Sequence, residues 1–493
     1  MFLLKKLINA PRIEAEPLVN EASHYLSKLD YDGAKMPIRY TTRLAKIPAD
    51  RQDEEANVVG GMRNTATSLA KVPGHSEVGK HLGKIITDMI NTVPGFKVNL
   101  MLAIDRQYYD KVLLDKLVEQ GRIVLATALG CKDVQVAVAP VQNENCSTCI
   151  RAHLLRQWAI AAKDPAVYAV AWLFDGAPLG LDFYDDALMS RLWPLRDDGE
   201  EDAHFSGAVL QDEMEDTAPL TKSGDTKLPE EDVLELVEGY EDKHYIDIIN
   251  RHELQERFGD DHVISKLLPI TKDRFDATTK KYVKKTRTVL GLKASGVSKR
   301  TILRHKGVLP RATDAISNLL ALLYDASLAG NKELVEQLVM DVIDAYWLVP
   351  NKPGERRWFI ARVGELFAVW LRTPQGSRDA GLTWATIVSL VGRCLLSLFP
   401  AEPNSKHKAA TTMLMQIYVD DPWCAARGTR EQIDTQFAVV AAVWLILGFP
   451  MAFHKASRGP KVNWTGITIS LLEDGVLAEV MDEKVEEVKA ITK

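Results

Sequence analysis

Apolar residues recur along the chain at two spacings, one typical of helices and the other of strands. Spacings of three and four residues predict helices at 108–118, 314–329, 382–398 and 437–447. Runs of strand-forming residues bounded by turn signals predict strands at 286–292, from Leu338 onward, at 413–418 and at 462–469. The first 130 residues have mostly helical patterns, whereas strands and helices mix in the second half.

Charge is distributed unevenly along the chain, although its total is ordinary. The 493 residues are 46% hydrophobic and carry a formal net charge of −6, a balance that argues against non-specific binding to nucleic acid. Residues 197–242 hold 17 acidic and 2 basic side chains, which predicts a disordered or loosely helical linker with a short acidic helix at 229–240. Residues 272–306 hold 12 basic and 2 acidic side chains. Such a cluster on a strand is either a solvated face or a grip for phosphates.

Cysteine usage and hydropathy favour an intracellular protein of the cytoplasm or nucleus. The five cysteines include one CxxC pair, Cys146 and Cys149. Two ligands cannot complete a tetrahedral metal site, so a stray thiol pair is expected. The opening MFLLKKL is too short for a signal peptide, and no run approaches the roughly 18 apolar residues of a membrane helix.

Two adjacent carboxylates stand at the end of a predicted strand. Asp420 and Asp421 follow the run 413–418 and precede Pro422, a pattern typical of a hairpin that presents both acids at its tip. Adjacent carboxylates repel each other unless a cation compensates them, but a single pair on a turn is more often only solvated. Asp341 strengthens the metal hypothesis, because it ends an apolar strand, where a buried carboxylate is costly without a partner or a metal.

Five motifs, taken in order, resemble the palm of reverse transcriptases. They are DxxDAY at 341–346, PQG at 374–376, YVDD at 418–421, a GF…HK element at 448–455 and a VxWxG strand at 462–466. Upstream segments that resemble the fingers lie at 267–272, 285–287, 295–297 and 309–311. Together with YVDDP and the GAPLG of 176–180, these motifs are most similar to those of DIRS-like retroelement polymerases. The palm and fingers resemblance covers roughly residues 250–475.

The resemblance implies a role for each matching residue. Asp341, Asp420 and Asp421 match a metal-binding triad that would hold Mg²⁺, with Mn²⁺ as an alternative. Tyr346 matches an aromatic gate against a 2′-hydroxyl, and Lys455 matches a lysine that protonates pyrophosphate. The matches to substrate-binding and primer-binding residues are Gln375, Gly376, Arg287, Lys285 and Lys272 for the nucleotide, and Trp464 and Gly466 for the primer.

Several of these residues also have an ordinary structural explanation. Asp344 is expected to be a hydrogen-bonded neighbour, and Tyr418 a packing residue, rather than participants in chemistry. Gly291 stands where the fingers strands of the family often carry Asp, which weakens that part of the match. Core positions are expected for Trp347, Trp358, Trp370, Trp384 and Trp444.

The resemblance implies an α+β protein with the fingers and palm of a right-hand polymerase. The palm would be an antiparallel sheet with helices on one face, preceded by a mostly helical N-terminal region. The expected divisions are 1–130 (N-terminal helical region), 131–196 (helical upstream region), 197–245 (acidic linker), 246–335 (fingers), 336–470 (palm) and 471–493 (start of a truncated thumb or connection).

The expected activity is that of an RNA-directed DNA polymerase of a retrotransposon. Its partners would be an RNA or DNA template, a primer and dNTPs, with no membrane. Two divalent cations would serve nucleotidyl transfer to the primer 3′-hydroxyl. The alternative is a catalytically inactive nucleic-acid-binding remnant of a retroelement polyprotein, since few residues after 471 remain for a thumb. An RNA-templated RNA polymerase is disfavoured by Tyr346, because such enzymes need room for a ribose.

Overall fold

A computed structural model describes most of the chain from residue 73 to residue 481. The described residues are 38–39, 73–144, 146–184, 192–193, 230–276, 281–305, 307, 309–329, 333–399, 412–472 and 475–481. The predictions for nearly all of residues 1–72, for the acidic stretch 197–229 and for the last residues of the chain therefore lie outside the described residues.

The four helices predicted from apolar spacing are present, but two are longer than predicted: the helix predicted at 108–118 spans Lys111–Ala128, and the one predicted at 437–447 spans Arg430–Ile446. In the described part the helices are α1 Pro73–Thr92, α2 Phe96–Ile104, α3 Lys111–Ala128, α4 Val134–Val138, α5 Ala152–Ala161, α6 Trp172–Asp175, α7 Glu230–Glu241, α8 Arg251–Phe258, α9 Val297–Arg300, α10 Ala312–Ala329, α11 Ala380–Ser397 and α12 Arg430–Ile446. Short 3-10 helices lie at Val167–Ala171, Ala345–Leu348, Pro353–Trp358 and Phe453–Lys455. The acidic helix predicted at 229–240 is confirmed as α7.

The strands form three four-stranded sheets and two hairpins in the described part. They are β1 Ile38–Arg39, β2 Val141–Gln142, β3 Ser147–Thr148, β4 Ile246–Ile249, β5 Ile264–Ser265, β6 Leu267–Asp276, β7 Lys281–Leu290, β8 Leu334–Val339, β9 Ile360–Val363, β10 Leu366–Trp370, β11 Met413–Tyr418, β12 Asp421–Gly428, β13 Ser457–Gly459, β14 Lys461–Trp464, β15 Ile467–Leu472 and β16 Gly475–Val480. The four-stranded sheets have the orders β11-β12-β8-β13, β4-β10-β9-β5 and β1-β16-β15-β14.

The antiparallel sheet β11-β12-β8-β13 lies at the centre of the fold. Successive residues of a strand point to opposite faces of the sheet. On one face, Cys424 and Ala426 of β12 pack in the core that includes α11 and α12. On the other face, Trp423 and Ala425 pack in the core that includes α10. The protein is therefore α+β, as predicted. The helix predicted at 314–329 is α10, but it packs on the second face of the sheet, whereas helices were expected on one face alone.

The N-terminal helices share one hydrophobic core with the helices of the central sheet. Helices α1, α2 and α3 pack against α12, and α1 also packs against α11. Gly79 and Gly83 permit this approach, since a Cβ at Gly79 would lie 2.0 Å from the carbonyl oxygen of Ser397, and one at Gly83 would lie 2.5 Å from that of Leu398. The region from residue 73 onward is thus built into the body of the protein.

Strands β6 and β7 form a long hairpin in which Leu267 is paired with Leu290 and Asp276 with Lys281. This hairpin contains the predicted cation-bearing strand. Leu267 and Leu290 also belong to a second core, which includes Trp347, Val237 of α7, and four residues of β9 and β10, namely Ala361, Val363, Ala368 and Trp370. Residues 230–241, the later part of the predicted acidic linker, are therefore packed against the body.

The single strand predicted at 462–469 is wrong. The structure has two strands there, β14 and β15, which pair antiparallel across a two-residue turn. Thr465 and Gly466 occupy this turn with φ values of 49° and 83°, the positive φ pattern of type I′ hairpins. Strand β16 then pairs with β15 and with β1.

One described helix, α11, is long and apolar enough to cross a membrane by length and composition. Of its 18 residues, 78% are buried inside the protein. This burial is that of a core helix, and α11 accordingly packs against α1 and β11.

Candidate active site

The hairpin tip between β11 and β12 meets the end of β8. The backbone N–H of Val342 donates to the carbonyl oxygen of Asp420 at 2.8 Å, and that of Met340 donates to Pro422 at 3.0 Å. Asp341 lies between these two bonds, so the structure brings Asp341 and Asp420 to the same edge of the central sheet. The predicted hairpin with acids at its tip is confirmed.

The conformation of this tip is strained and is held from outside. Val419 has a φ of 55°, which is rare for a β-branched residue because its side chain crowds the backbone there. The indole N–H of Trp384, on α11, donates to the carbonyl oxygen of Val419 at 2.6 Å. Trp464 donates from its indole to the carbonyl oxygen of Asp421 at 3.0 Å. Two buried tryptophans thus hold the turn that presents the acids.

Lys455 lies directly against Asp341. Its ammonium nitrogen is 2.6 Å from each of the two carboxylate oxygens. The 3-10 helix that carries Lys455 is fixed by a hydrogen bond of 2.8 Å from the N–H of Ala452 to the carbonyl oxygen of Asp341, and by the bridge between Val342 and Met451. The structure therefore brings the predicted lysine to the predicted carboxylates.

The electrostatics of the tip connect four of the predicted residues. Burial raises the pKa of the Asp420 carboxyl, and the charge of Asp341 raises it further. A hydrogen bond from its own backbone lowers this pKa, as do the charges of Lys455 and Arg287. Arg287 stands on β7, so the cationic hairpin reaches the field of the carboxylates although the Arg287 side chain is exposed.

The donor chemistry of this edge fits a hard divalent cation in part. The charge of Asp341 raises the pKa of the Asp420 carboxyl, a repulsion that such a cation compensates, and Mg²⁺ takes oxygen ligands. Asp421 begins β12 and is half-buried. In the described residues, however, no group of three His, Cys, Asp or Glu side chains is gathered closely enough to hold a metal ion. The structure thus brings together two of the three predicted ligands, and the metal-binding role of all three stays a prediction.

Tyr346 lies beside the same turn. It belongs to the 3-10 helix Ala345–Leu348, which follows Asp341 along the chain, and its ring is partly buried against the main core. Burial, followed by the charges of Asp420 and Tyr418, raises the pKa of the Tyr346 phenol. The predicted gate residue is therefore close to the predicted metal ligand.

The loop with Gln375 and Gly376 packs against the cationic hairpin. Gly376 has a φ of 104°, and a Cβ there would lie 2.9 Å from Cγ1 of Val289 and 3.0 Å from the carbonyl oxygen of Leu290. Glycine is therefore needed both for the turn and for the contact. Gln375, which is half-buried, consequently lies near strand β7. The contacted residue Val289 is two positions after Arg287 on that strand.

The remaining predicted residues are placed less directly. Lys272 and Lys285 are paired across the β6–β7 hairpin, where the structure describes their backbones alone. Trp464 is 2% exposed and packs edge-on against Tyr418 at 6.3 Å, so its ring supports the turn. Gly466 occupies the turn between β14 and β15. Contact of these four positions with nucleotide or primer stays a prediction.

Sequence reasoning assigned Trp384 to the core and did not predict its bond to the YVDD turn. It also did not predict a partner for Asp344, which accepts hydrogen bonds from the Tyr245 hydroxyl at 3.0 Å and from Lys243 at 3.2 Å. These partners are about a hundred residues apart along the chain, and no local pattern signals them. The expectation that Asp344 is a hydrogen-bonded neighbour is confirmed.

The CxxC pair has no metal partner in the part of the chain that the structure describes. Cys146 and Cys149 are free thiols in and next to the β2–β3 hairpin. Burial raises the pKa of both thiols, which disfavours the reactive thiolate form.

Similarity to known proteins was found among solved structures alone. No protein-family model and no curated protein matches the sequence. A foamy viral protease-reverse transcriptase in complex with double-stranded DNA has 15% identity and a TM-score of 0.36, over 56% of this chain and 40% of that chain. The same kind of protein with an RNA/DNA hybrid has 17% identity and a TM-score of 0.36, over 56% and 30%. The native prototype foamy virus protein has 17% identity and a TM-score of 0.32, over 52% and 28%. The chain spans less than half the length of each of these proteins.

Proposed function

We propose that the chain is an RNA-directed DNA polymerase of a retrotransposon, similar to the DIRS-like enzymes. The observation that carries the proposal is the meeting of Asp341, Asp420, Lys455 and Tyr346 at one edge of the central sheet, within the field of Arg287. These four residues come from three separate parts of the chain, which match three different polymerase motifs: Asp341 and Tyr346 share one motif, and Asp420 and Lys455 lie in the other two.

In this proposal the carboxylates of Asp341 and Asp420, joined by Asp421, hold Mg²⁺ or Mn²⁺. The chemistry supplied there would be a lowered pKa of the primer 3′-hydroxyl and an offset of the charge on the phosphates. The chain itself supplies the anionic pocket and keeps it rigid through the indole bonds to Val419 and Asp421. Rigid support is required, because a small displacement of reacting groups costs rate.

The other side chains bind and select the nucleotide. Arg287, Lys285 and Lys272 are proposed to bind the triphosphate, because cations on one hairpin neutralise its charge. Gln375 and Gly376 border the base and sugar, and the ring of Tyr346 excludes a 2′-hydroxyl.

Lys455 holds a proton at Nζ and delivers it to the departing pyrophosphate. Its bond to Asp341 keeps the ammonium group within the site until substrate arrives. Trp464 and Gly466 support the strand turn against which the primer end is proposed to lie.

Primer extension tests the proposal. The folded wild-type protein, given an RNA template, a DNA primer, dNTPs and Mg²⁺, is expected to extend the primer, and Asp420→Ala is expected to abolish extension. Asp115→Ala serves as the matched control, since Asp115 is an exposed carboxylate on α3. Activity that survives Asp420→Ala would sink the proposed mechanism.

The alternative, a catalytically inactive nucleic-acid-binding remnant, is supported by the absence of a three-carboxylate group in the described residues. It predicts binding that weakens steeply with salt, because cations that contact phosphates release counterions. It also predicts no Mg²⁺-dependent synthesis by folded wild-type protein, so the same assay separates the two functions.

Sugar selection has its own test. Replacing the ring of Tyr346 by the methyl group of alanine opens space at the 2′ position. Tyr346→Ala is therefore expected to raise incorporation of ribonucleotides relative to deoxynucleotides. An unchanged ratio would show that Tyr346 is not the gate.

A further inference from the structure

Asp344 holds an uncommon backbone conformation two residues before the gate tyrosine. Its φ is 54°, in the left-handed region, where an aspartate is strained relative to glycine. Such strain persists only where surrounding contacts determine the conformation. The 3-10 helix Ala345–Leu348 starts directly from this residue, and the N–H of Trp347 donates to the carbonyl oxygen of Asp344 at 2.8 Å. The direction of that helix therefore depends on Asp344.

The side chain of Asp344 is tied to a distant segment. The hydroxyl of Tyr245, in the connection from α7 to β4, donates to Oδ2 of Asp344 at 3.0 Å, and Lys243 lies 3.2 Å from the same oxygen. Burial and the charge of Asp344 raise the pKa of the Tyr245 phenol, so the phenol stays protonated as a donor. The Lys243 side chain is more than half exposed, so its ion pair with Asp344 contributes little to holding Asp344 in place. Tyr245 is the principal tether.

The residue after the gate is also held by this segment. The indole of Trp347 packs between two tyrosine rings, with centroid distances of 5.0 Å to Tyr240 and 4.9 Å to Tyr245. Trp347 is 5% exposed and belongs to the second core, whereas its neighbours Ala345 and Leu348 belong to the main core. The gate helix thus bridges two cores, with one fixed point on each side of Tyr346.

We infer that Tyr245 and Asp344 are positioning residues that fix the Tyr346 ring and so set the sugar selectivity of the polymerase. The inference rests on the proposed function and deepens it. The tether acts on Asp344, Asp344 sets the start of the gate helix, and the helix aims Tyr346 toward the Asp420 turn. Neither Tyr245 nor Asp344 needs to touch substrate for this role.

Tyr245→Phe removes the tethering hydroxyl but keeps the ring that packs against Trp347. The ratio of deoxynucleotide to ribonucleotide kcat/KM is expected to fall by about tenfold, the factor that corresponds to one hydrogen bond with a charged group. The loss should appear as a lower KM for ribonucleotides. The kcat for deoxynucleotides should stay within about twofold, because the carboxylates are untouched. Tyr240→Phe is the matched control, since Tyr240 packs on the same indole without contacting Asp344, and its ratio should be unchanged.

Two substitutions at Asp344 separate the tether from the backbone conformation. Asp344→Asn keeps an oxygen acceptor and tolerates the left-handed region, so it should retain selectivity. Asp344→Gly adopts the same φ without strain but has no acceptor, so it should lose selectivity to the same extent as Tyr245→Phe. Thermal melting of each variant shows whether the protein remains folded.

The outcomes distinguish this inference from the proposed function. Suppose that the wild-type protein extends the primer and that Tyr346→Ala reduces its sugar selectivity. If Tyr245→Phe and Asp344→Gly then leave the selectivity unchanged, the positioning role alone is overturned. Folded wild-type protein that extends no primer would overturn the proposed function and this inference with it. Tyr240→Phe keeps its ring and removes only a hydroxyl that accepts from the N–H of Thr288. A fall in selectivity for Tyr240→Phe equal to that for Tyr245→Phe would therefore show that the bond to Asp344 is not responsible.

Discussion

A buried ion pair joins the segment after α5 to α11, which packs against the central sheet, and breaking it is expected to be costly. Nε and Nη2 of Arg393, on α11, donate to Asp164 at 2.6 and 2.8 Å, and Asp164 follows α5. The two residues are 1% and 2% exposed. Asp164 also accepts from the N–H of Ala166 at 2.7 Å. Arg393→Met would remove the guanidinium group that pairs with this buried carboxylate.

The expected loss is about 3–5 kcal/mol of unfolding free energy, the range for removing one partner of a buried pair. Arg362→Met is the matched control. Arg362 pairs with Glu365 on the surface, where the two side chains are 49% and 93% exposed, and the same change there should cost less than about 1 kcal/mol. Chemical denaturation followed by tryptophan fluorescence measures both variants.

The double variant Arg393→Met with Asp164→Asn removes both charges and keeps the acceptor for Ala166. It should recover most of the stability lost in the single variant, because the cost comes from removing one charged partner of a buried pair and keeping the other. If Arg393→Met were no more destabilising than Arg362→Met, the pair would not hold the two regions together. The shared core would then rest on apolar packing alone.

The remaining predictions concern Asp379, Glu355 and Gly376. Asp379→Asn should stabilise the protein by about 1 kcal/mol at neutral pH. Burial raises the pKa of Asp379 well above its usual value, so the wild-type protein loses stability as pH rises through that raised pKa. The stabilisation of Asp379→Asn relative to wild type should therefore grow in melting experiments from pH 5 to pH 9. Glu355→Ala should lower the free energy of unfolding in denaturant by about 3 kcal/mol, because the buried carboxylate accepts from four backbone N–H groups of residues 179–183. A loss under about 1 kcal/mol would contradict this. Gly376→Ala should raise the KM for dNTPs about tenfold, since its Cβ would push the loop away from Val289 and Leu290; an unchanged KM would show that the contact is dispensable.

The local parts of the fold could be predicted from the sequence because their signals are local. The run 413–418 followed by two acids specified the hairpin, and the spacing of apolar residues located α10 and α11 within two residues of their observed starts. The turn at Thr465-Gly466 was missed although a glycine after a strand is a turn signal. Alternation on both sides of that glycine would have indicated two strands.

The contacts that assemble the site could not be predicted, because they join distant residues. Nothing near Lys455 indicates that its ammonium group meets Asp341, 114 residues away. The bond from Trp384 to Val419 and the tether from Tyr245 to Asp344 are equally non-local. The motif order identified which residues to consider, and tertiary packing decides which of them meet.

The central claim is that Asp341 and Asp420 form the core of a metal-dependent polymerase site. Single-turnover incorporation of one dNTP into a primer on an RNA template, followed over a Mg²⁺ titration, tests it most directly. The account predicts Mg²⁺-dependent incorporation by the wild-type protein and a loss of roughly a thousandfold or more in Asp420→Asn, the equivalent of several kcal/mol of transition-state stabilisation. Incorporation by Asp420→Asn at the wild-type rate, or none by folded wild-type protein at any Mg²⁺ concentration, would contradict it.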